Sequence, residues 1–344
     1  MEEMSALVDR ERLEGLLVLT SRTFAINIPM LPDLLRDGLT LGYLLLRNAD
    51  SLEDAYRWPK ERRLEGLDSF HDLMLHPDGP AARRFADRYS SIPGLEDAAQ
   101  AELLAETPYL LTELAKLPEG YGREVRSHVA RIARRMQLWV ADHDDGNQLR
   151  LRRLQQLDDY CYSVAGIVGE LVTSLIALYR PTLDLTRLLF LRTLETGVGA
   201  GLQLTNILKD AFRDHLEGRY YIPHEYLPID GSHRVDRIRP IFAYAYRHLS
   251  LGIDYTCTLP EGELAIRKAV LVPILLAGAT LVHLLDRIED LFRGVEVKIS
   301  REQVAAILDL ADRASGENQS VRSAWRETTQ MLADLRPDAA GAGG

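Results

Sequence analysis

The feature that most constrains this sequence is a pair of acidic rows in two otherwise apolar segments, 43-YLLLRNADSLEDA-55 and 201-GLQLTNILKDAFRD-214. Each segment has the apolar spacing of a helix and carries two aspartates four residues apart, so their side chains share one helical face. The pairs are Asp50 with Asp54 and Asp210 with Asp214. Because an isolated charge in an apolar interior is very costly, such acids must be paired or must bind a metal. Two rows that faced each other would form a cage for hard cations.

Each row extends backward along its helix through further polar residues. These are Tyr43 and Arg47 in the first segment, and Gln203 and Asn206 in the second. The alternative interpretation is that acids at this spacing only decorate a solvated helix face. The segment 286-DRIED-290 has the same spacing, and there we predict a solvated face because Arg287 and Arg293 supply local salt partners.

The chemistry of the rows favours magnesium bound together with a phosphate-bearing substrate. Mg²⁺ prefers oxygen ligands, keeps several waters, and is usually held by one or two carboxylates plus substrate phosphates. Asp50 and Asp54 alone supply too few ligands to enclose a metal ion that has no other partner. They suit ions that also take oxygens from a diphosphate, with Asp210 and Asp214 serving the same purpose opposite.

The apolar residues recur at helical spacing almost everywhere, and alternating patterns typical of strands are nearly absent. We therefore predict an all-α fold, with one helical domain over residues 1–336 and a flexible tail over 337–344. The predicted helices cover 8–20, 33–56, 60–76, 80–90, 97–116, 120–143, 151–179, 184–215, 234–258, 260–291, 300–313 and 317–335. The one long non-helical connection, 216–232, directly follows the second acidic row. A loop of this length more often has a function than serves only as a connection.

Composition excludes several classes of protein. A formal net charge of −10 with no offsetting basic arm argues against a nucleic-acid binder. Two isolated cysteines, Cys161 and Cys257, are too few for a disulfide framework or a zinc site and are expected to be small core residues. The acidic N-terminus does not resemble a signal peptide. The 17-residue apolar run 269–285 contains Pro273 and is shorter than a membrane span, so we predict a buried helix.

Five segments, taken in order, resemble the squalene/phytoene synthase family of head-to-head prenyl synthases. They are 21-SRTFAINIP-29, 43-YLLLRNADSLED-54, 160-YCYSVAGIVGE-170, 203-QLTNILKDAFRD-214 and 218-GRYYIP-223. The resemblance covers roughly residues 20–225, with helical continuation beyond. It implies an α-helical bundle of the trans-isoprenyl diphosphate synthase type, with a central cavity that binds two prenyl diphosphates through Mg²⁺, or alternatively Mn²⁺.

The resemblance also implies a role for individual residues. The metal ligands would be Asp50, Glu53 and Asp54 in the first motif and Asn206, Asp210 and Asp214 in the second. Tyr160 would lie near the departing diphosphate and assist proton loss, and Tyr43 would line the reaction centre. The substrate-binding residues would be Ser21, Arg22, Phe24, Arg47, Val164, Gly166, Gln203, Lys209 and Arg219.

Small residues on two predicted helices suggest a path for the isoprenoid tails. Val164, Ala165 and Gly166 lie on one of these helices, and Gly197, Gly199 and Gly201 lie on the other. The expectation is that these positions leave room for the tails to pass between the helices. A dinucleotide-binding loop is rejected for the second group because no strand precedes it and the GxGxxG spacing is absent.

By resemblance, the expected reaction is head-to-head condensation of two farnesyl diphosphates through presqualene diphosphate, followed by NADPH-dependent reduction to squalene. The alternative is a non-reductive sister activity that yields dehydrosqualene, hydroxysqualene or phytoene. The C-terminal third resembles the squalene branch in register, but Ala269 and Ile274 replace that branch's phenylalanine and glutamine. Lys298 and Arg301 are candidates for binding the NADPH phosphate, with solvated surface residues as the alternative.

Two other classes of function remain open at this stage. A non-catalytic assembly factor would be marked by the loss of the motif acids, all of which are present here. A terpene-forming lyase would share the acids without needing 160-YCYSVAG-166. The C-terminal membrane anchor of the family's eukaryotic members is not seen in the sequence, so we expect a monomeric bacterial protein of the cytoplasm, with peripheral membrane contact for product release.

Overall fold

In the computed structural model of this chain, residues 8–21, 23–90, 95, 98–143, 149–227 and 234–333 are described. They form helices throughout, which confirms the all-α prediction, and no β-strand occurs among them beyond one isolated bridge between Arg150 and Tyr220. The chain groups into two compact units, 1–147 with 170–184 and 148–169 with 185–344. The single-domain prediction stays a prediction.

The first unit is built around α3, the helix that carries the first acidic row. Its helices are α1 (Arg10–Thr20), α2 (Phe24–Asn27), α3 (Asp33–Glu53), α4 (Lys60–Leu75), α5 (Gly79–Tyr89), α6 (Ala98–Ala105), α7 (Thr107–Leu114), α8 (Glu119–His143) and the later part of α10 (Ile167–Tyr179). α3 packs against α1, α4, α6, α7 and α8. Leu35, Leu41 and Leu44 of α3 are fully buried, as expected of a helix that is apolar on most of its surface.

The second unit is built around α11, the helix that carries the second acidic row. Its elements are α9 (Leu154–Cys161), a π-helix (Tyr162–Gly166), the start of α10, α11 (Leu185–Leu216), α12 (Arg234–Thr258), α13 (Leu264–Asp286), α14 (Ile288–Phe292), α15 (Arg301–Ala314) and α16 (Asn318–Ala333). α11 packs along α12 and also contacts the π-helix, α9, α13 and α14.

Most predicted helices are found within a few residues of their expected limits, and the differences have local causes. The predicted helix 97–116 is divided into α6 and α7, because Pro108 in the first turn of α7 has no N–H to continue the helix. The predicted helix 151–179 is interrupted by the π-helix. α3 ends at Glu53 rather than at Tyr56, because the guanidinium of Arg63 donates a 2.8 Å hydrogen bond to the Glu53 carbonyl.

Two helical stretches, Leu154–Tyr179 and Leu264–Asp286, are long and apolar enough to cross a membrane by length and composition alone. Half of the apolar window of the first and 61% of that of the second lie buried inside the structure. Such burial is typical of the core helices of globular proteins. It confirms that the apolar run 269–285 is a buried helix.

A fully buried arginine joins the ends of three helices in the second unit. Arg267 of α13 donates hydrogen bonds to the carbonyls of Thr256 (2.9 Å) and Leu259 (2.8 Å) at the end of α12. It also donates to the carbonyl of Ser315 after α15 and to the Asn318 side chain at 2.9 Å. Helix ends leave carbonyls without intrahelical partners, and this one side chain satisfies several of them. Burial lowers the pKa of its guanidinium.

The crossing of α11 against the π-helix depends on glycine. A Cβ atom built on Gly199 would lie 1.9 Å from the Ala165 carbonyl oxygen, and one on Gly169 would lie 1.9 Å from the Glu195 carbonyl oxygen. No larger residue fits at either contact unless the backbones separate. α11 is therefore held at backbone-contact distance from the segment that follows Tyr160.

This packing overturns one expectation from the sequence. The glycines of α11 were expected to leave room for isoprenoid tails, but a Cβ on Gly197 would lie 2.6 Å from the Leu251 side chain. A Cβ on Gly201 would lie 2.8 Å from the Leu249 backbone nitrogen. Together with Gly199, these positions are filled by neighbouring helices. The interpretation of the α11 glycines as a tail passage is therefore wrong, because small residues serve close packing here.

We predict that Gly199→Ala lowers the free energy of unfolding by at least about 2 kcal/mol, because the new methyl group must push α11 and the π-helix apart. The matched control is Gly15→Ala in α1, where an added Cβ would meet nothing within 4 Å. That control should be stabilising by about 0.5–1 kcal/mol, since alanine favours a helix interior over glycine. Urea unfolding followed by circular dichroism measures both, and equal stabilisation by the two changes would contradict the contact.

Candidate active site

The first acidic row lies on α3 in the order expected from the sequence. Tyr43, Arg47, Asp50 and Asp54 recur at intervals of three and four residues, which is the spacing of one helical face. Arg47 Nη1 lies 3.5 Å from Asp50 Oδ2, and the two side chains are 31% and 36% exposed. The Arg47 guanidinium also interacts electrostatically with Tyr43 and Asp54.

Desolvation dominates the electrostatics of Asp50. It raises the pKa of the Asp50 carboxyl, and Arg47 opposes the shift through its charge and its hydrogen bond. The side chain nevertheless keeps about a third of its surface open. A carboxylate that is surrounded by protein, still reachable and only partly neutralised is well suited to bind an incoming cation.

The end of α3 orients the remaining acids of the first motif. Glu53 is buried, and its carbonyl accepts the hydrogen bond from the fully buried Arg63. Asp54 is half-buried and caps the helix, with its N–H donating to the Asp50 carbonyl at 2.8 Å. The Arg63 guanidinium also lies over the Tyr56 ring, 4.3 Å from its centroid. Arg63 therefore fixes the point at which the acidic row ends.

Residues from the first predicted motif lie beside the start of this row. The Tyr43 hydroxyl donates to the Thr20 carbonyl at 3.1 Å, and its ring centroid is 5.0 Å from that of Phe24. Ser21 Oγ accepts a 2.9 Å hydrogen bond from the Phe24 N–H. Burial raises the pKa of Tyr43. Arg22, which was also predicted to bind substrate, lies outside the described residues.

The second acidic row lies on α11 and is rich in cations. Asp210 is 27% exposed and lies 3.4 Å from Lys209 Nζ and 3.5 Å from Arg213 Nη2. Lys209 Nζ is also 3.4 Å from Asn206 Oδ1, and the Asn206 side chain is exposed. Gln203 is half-buried one turn earlier. The structure therefore brings together Asn206, Lys209 and Asp210 as the sequence predicts.

The last acid of this row is held differently, in a buried ion pair. Arg219 donates to Asp214 Oδ1 from two guanidinium nitrogens, at 2.7 and 3.2 Å, and its N–H donates to the Asp214 carbonyl at 2.7 Å. A left-handed glycine, Gly218 with φ 81°, makes the turn that returns Arg219 to the helix. Desolvation raises the pKa of Asp214 to about 6; Arg219 opposes this shift and Asp210 adds to it.

A small cavity adjoins this ion pair, where the chain leaves α11 for the long connection. Its lining residues are Ile207, Ala211, Asp214, His215, Arg219, Tyr220, Tyr221, Ile222 and Leu227. The functional role of the connection after the second row stays a prediction. His233 and the rest of 228–233 lie outside the described residues.

Tyr160 is buried in the second unit, on the last turn of α9. Its ring centroid lies 5.0 Å from that of Tyr221, which belongs to the same connection as Arg219. Val164 and Gly166 lie on the π-helix that follows, and π-helices occur frequently at functional sites. The predicted catalytic tyrosine is thus packed against the segment that carries the cation of the second row.

The donor groups fit a hard cation that also takes ligands from a substrate. Among the described residues, no group of three His, Cys, Asp or Glu side chains can hold a metal ion by itself. The donors offered by the two rows are oxygens, and Asp50 and Asp210 are each partly exposed. Oxygen donors that are too few for a closed cage fit Mg²⁺ completed by phosphate oxygens and water.

Both predicted NADPH-binding residues, Lys298 and Arg301, are exposed in the structure. Lys298 is paired with Glu296, and Arg301 is an exposed residue at the start of α15. The two departures from the squalene branch, Ala269 and Ile274, are both buried in α13. The cofactor assignment therefore stays a prediction.

The expected salt partners of the 286–290 segment are confirmed, but the segment spans the break between α13 and α14 and is not one continuous helix face. Asp290 lies 2.7 Å from Arg287 and 3.8 Å from Arg293. Asp50 and Asp210 also make ion pairs with an arginine three residues away, so a local salt partner alone does not distinguish the two rows from this segment.

Sequence reasoning missed two groups of residues near the site. One is Arg63, which ends α3. The other joins α9 to α12, where the Tyr244 hydroxyl donates to Asp158 at 2.8 Å and His248 Nε2 lies 3.7 Å from the same carboxylate. Burial raises the pKa of Tyr244 and lowers that of His248. Arg63 bonds to a residue 10 positions away across a helix end, and Tyr244 to one 86 positions away, so the spacing of a single helix indicates neither group.

Comparison with known proteins places these features in a family. The squalene synthase of Schizosaccharomyces pombe is 26% identical over 315 residues, which cover 86% of this chain and 64% of that relative, less than two thirds of its length. The structure of TcSQS with the ligand E5700 matches with a TM-score of 0.78 and 24% identity, over 96% of this chain and 93% of the other. A dehydrosqualene synthase structure matches with a TM-score of 0.58 and 17% identity, over 88% and 95%.

The two structural likenesses show the fold. In this chain, two helices of that fold carry the acidic rows. The family model for squalene/phytoene synthase matches residues 17–303. That range includes both acidic rows, Tyr160 and the turn to Arg219. Since the match covers well over half of the chain, this protein belongs to the squalene/phytoene synthase family.

Proposed function

We propose that this protein is a magnesium-dependent prenyltransferase that condenses two molecules of farnesyl diphosphate head to head and reduces the product to squalene with NADPH. The observation that carries the proposal is the pair of carboxylate rows, each with cations in contact, on the apolar helices α3 and α11. Membership of the squalene/phytoene synthase family supports the same chemistry. The expected setting is isoprenoid biosynthesis in the bacterial cytoplasm.

In this proposal the first row and the second row hold the metal-bound diphosphates. The magnesium ligands would be Asp50, Glu53 and Asp54, and Asn206, Asp210 and Asp214. Bound Mg²⁺ stabilises the charge that develops on a leaving diphosphate. Arg47 and Lys209 lie beside the acids and would hold diphosphate oxygens in the same way, as positioned positive charges.

The proposed reaction has two steps, and the atoms and charges balance in each. Two farnesyl diphosphates give presqualene diphosphate, one diphosphate and a proton, as a carbon–carbon bond and then a cyclopropane ring form. With NADPH as the hydride donor, presqualene diphosphate would lose diphosphate and gain a hydride, giving squalene and NADP⁺. Tyr160, buried against Tyr221, would assist loss of the proton in the first step. An enclosed apolar site protects the intermediate cation from water.

The alternative is a family member that stops without reduction, or that uses a longer donor. Two observations favour keeping it open: Ala269 and Ile274 are buried apolar residues where the squalene branch has phenylalanine and glutamine, and Lys298 is paired with Glu296. Dehydrosqualene, hydroxysqualene and phytoene are the corresponding products.

Product analysis separates these activities. The purified chain is incubated with farnesyl diphosphate and Mg²⁺, with and without NADPH, and the lipid extract is analysed by mass spectrometry. Squalene that forms only with NADPH supports the main proposal. Dehydrosqualene or hydroxysqualene supports the non-reductive alternative, and a C40 product from a C20 donor supports phytoene synthesis. Absence of any coupled product from either donor would refute the prenyltransferase proposal.

Removing one carboxylate from either row should abolish turnover. We predict that Asp50→Ala and Asp210→Ala each lower kcat by at least about 10²–10³-fold, because charge stabilisation at a leaving group contributes on that scale. The matched control is Asp290→Ala, which removes an aspartate of similar exposure that is also paired with an arginine three residues away but lies outside both rows, and it should change kcat less than about twofold. Diphosphate release and far-ultraviolet circular dichroism, measured on all three variants, separate loss of chemistry from loss of fold.

The pH dependence of stability and of kcat/KM should reflect the titration of Asp214, whose pKa is raised to about 6. Since the folded state binds this proton more tightly than an ordinary aspartate does, its contribution to stability is complete below about pH 4 and is lost as pH rises through about 6. Activity needs the ionised carboxylate, so kcat/KM should fall as pH drops through about 6.

Arg219→Met tests whether Asp214 causes the fall of kcat/KM at low pH. Without the guanidinium, desolvation of Asp214 is unopposed, so we predict that the acid limb of kcat/KM moves to higher pH by about one unit or more. Arg213→Met is the control, because Arg213 is 64% exposed, is paired with Asp210, and lowers the pKa of Asp214 less than Arg219 does. An unchanged limb in Arg219→Met, or an equal shift in both variants, would contradict the assignment.

A further inference from the structure

Three polar side chains connect α12 to α9, two residues before Tyr160. Asp158 of α9 accepts a 2.8 Å hydrogen bond from the Tyr244 hydroxyl of α12. His248 Nε2 lies 3.7 Å from the same carboxylate oxygen. Tyr244 and His248 are four residues apart, so they share one face of α12, and their rings meet edge to face with centroids 4.6 Å apart. We name Asp158, Tyr244 and His248 the Asp158 clasp.

The clasp contains a histidine that apolar packing alone does not explain. The His248 side chain is 17% exposed. Its buried Nδ1 atom has no hydrogen-bond partner among the residues that the structure describes, and burying such a nitrogen destabilises the folded chain. Burial also lowers the pKa of the ring and favours its neutral form. The proton of that form belongs on Nε2, which faces Asp158, because Nδ1 offers it no acceptor. The contact with Asp158 therefore compensates part of the cost of burying the ring.

The clasp ties α9 to a fixed part of α12. A Cβ atom built on Gly201 of α11 would lie 2.8 Å from the Leu249 nitrogen and 3.1 Å from the His248 carbonyl carbon. α12 thus lies at backbone-contact distance from α11 at a residue of the clasp. Because closely packed backbones have little room to shift, the His248 ring and the Tyr244 hydroxyl one turn earlier form a rigid anchor for the Asp158 carboxylate.

Tyr160 lies on the opposite side of α9 from the clasp. Successive residues of an α-helix are about 100° apart, so residues two apart point about 200° away from each other. Asp158 faces α12, whereas the Tyr160 ring packs on Tyr221 with centroids 5.0 Å apart. The last turns of α9 are therefore held by a polar contact on one side and by an aromatic contact on the other.

The backbone beyond Tyr160 does not continue as a regular α-helix. α9 ends one residue later, and the π-helix follows. The Tyr162 N–H is shared between the carbonyls of Asp158 and Asp159, so the regular ladder of i to i−4 hydrogen bonds is interrupted there. Such π-type interruptions occur frequently at functional sites. The turn that carries Tyr160 thus depends on side-chain contacts for its position, and the clasp supplies one of them.

We propose that the Asp158 clasp positions Tyr160 for its role in proton loss. Asp158, Tyr244 and His248 are positioning residues, since they act on the reaction through Tyr160 and not through contact with the substrate. This inference rests on the function proposed above and adds three residues to it. A clasp that only stabilises the fold is the competing explanation, and the experiments below distinguish the two.

Replacing Asp158 should slow turnover without weakening substrate binding. We expect Asp158→Leu to lower kcat by about tenfold or more, because misplacing a reacting group by about 1 Å can cost about 10²-fold. KM should change less than about twofold, since no member of the clasp belongs to either acidic row. Tyr244→Phe removes a single hydroxyl and carries the same prediction in a variant that keeps the ring. Steady-state diphosphate release measures both constants.

Two further variants separate the lost contact from the lost side chain. Asp158→Asn should keep kcat within about threefold of the wild type, because its amide oxygen still accepts the hydrogen bond from Tyr244. Asp159→Leu is the matched control, since it removes an exposed carboxylate from the next position of the same helix. It should change kcat less than about twofold, as expected of a surface substitution.

A double-mutant cycle tests whether Asp158 acts through Tyr160. In the Tyr160→Phe background, Asp158→Leu should lower kcat further by less than about twofold, because two changes that act on the same group are not additive. A loss of the same size in both backgrounds would overturn the proposal, since a role in fold stability does not depend on the Tyr160 hydroxyl.

Fluorine NMR reports the environment of Tyr160 without any turnover. The chain is labelled with fluorotyrosine, and the resonance of Tyr160 is identified as the one missing from Tyr160→Phe. We expect Asp158→Leu and Tyr244→Phe to shift or broaden this resonance, and Asp159→Leu to leave it in place. Circular dichroism and urea unfolding, measured on each variant, verify that the compared proteins are folded.

The two kinds of measurement separate failure of this inference from failure of the proposed function. A wild-type chain that forms no coupled product refutes the function, and the fluorine resonance then still decides whether the clasp positions Tyr160. An active wild type whose Tyr160 resonance is the same in Asp158→Leu overturns the inference alone. Equal losses of kcat in Asp158→Leu and Asp159→Leu would overturn it as well.

Discussion

The cost of holding carboxylates among apolar helices governs the arrangement of this protein. Asp50, Asp210 and Asp214 each have a cation within 3.5 Å, yet the pKa of Asp50 and that of Asp214 are still raised by desolvation. Their own arginines and lysines compensate only part of that cost. Carboxylates in this condition gain from an additional cation. The uncompensated desolvation of these carboxylates destabilises the folded rows, and it also makes the rows suited to bind metal-bound diphosphate.

The second row and the tyrosine motif depend on one backbone contact. Gly199 brings α11 against the π-helix that follows Tyr160, and α11 continues to Asp210 and Asp214 about three to four turns later. The connection after α11 returns Arg219 to Asp214 and Tyr221 to Tyr160. Acid, counter-charge and tyrosine in the second unit are thus positioned by a single helix crossing and a single turn. A displacement at Gly199 would be passed on to all of them, because packed helices transmit strain.

Much of the fold was predictable because helical periodicity and acid spacing are local properties. The limits of most helices were predicted within a few residues. The polar faces of α3 and α11 and the salt bridges of the 286–290 segment were also predicted. The π-helix, the division at Glu106 and the end of α3 at Glu53 were not. Each depends on a contact that periodicity does not record, such as the hydrogen bond from Arg63 to the Glu53 carbonyl. The glycines of α11 were misinterpreted for the same reason, since a missing side chain is compatible with both an open passage and a close contact.

The sequence by itself determined the helical class, the positions of the acids on two helical faces and the cations that accompany them. These follow from residue types and from spacing of three and four along one chain. Only the tertiary structure decided how each acid is held: Asp50 stays partly open beside Arg47, whereas Asp214 is closed in a buried pair with Arg219. It also decided that Arg267 closes three helix ends and that the start of α11 stays uncovered. Burial and desolvation arise from all the neighbours of a group together, and most of those neighbours are distant in sequence.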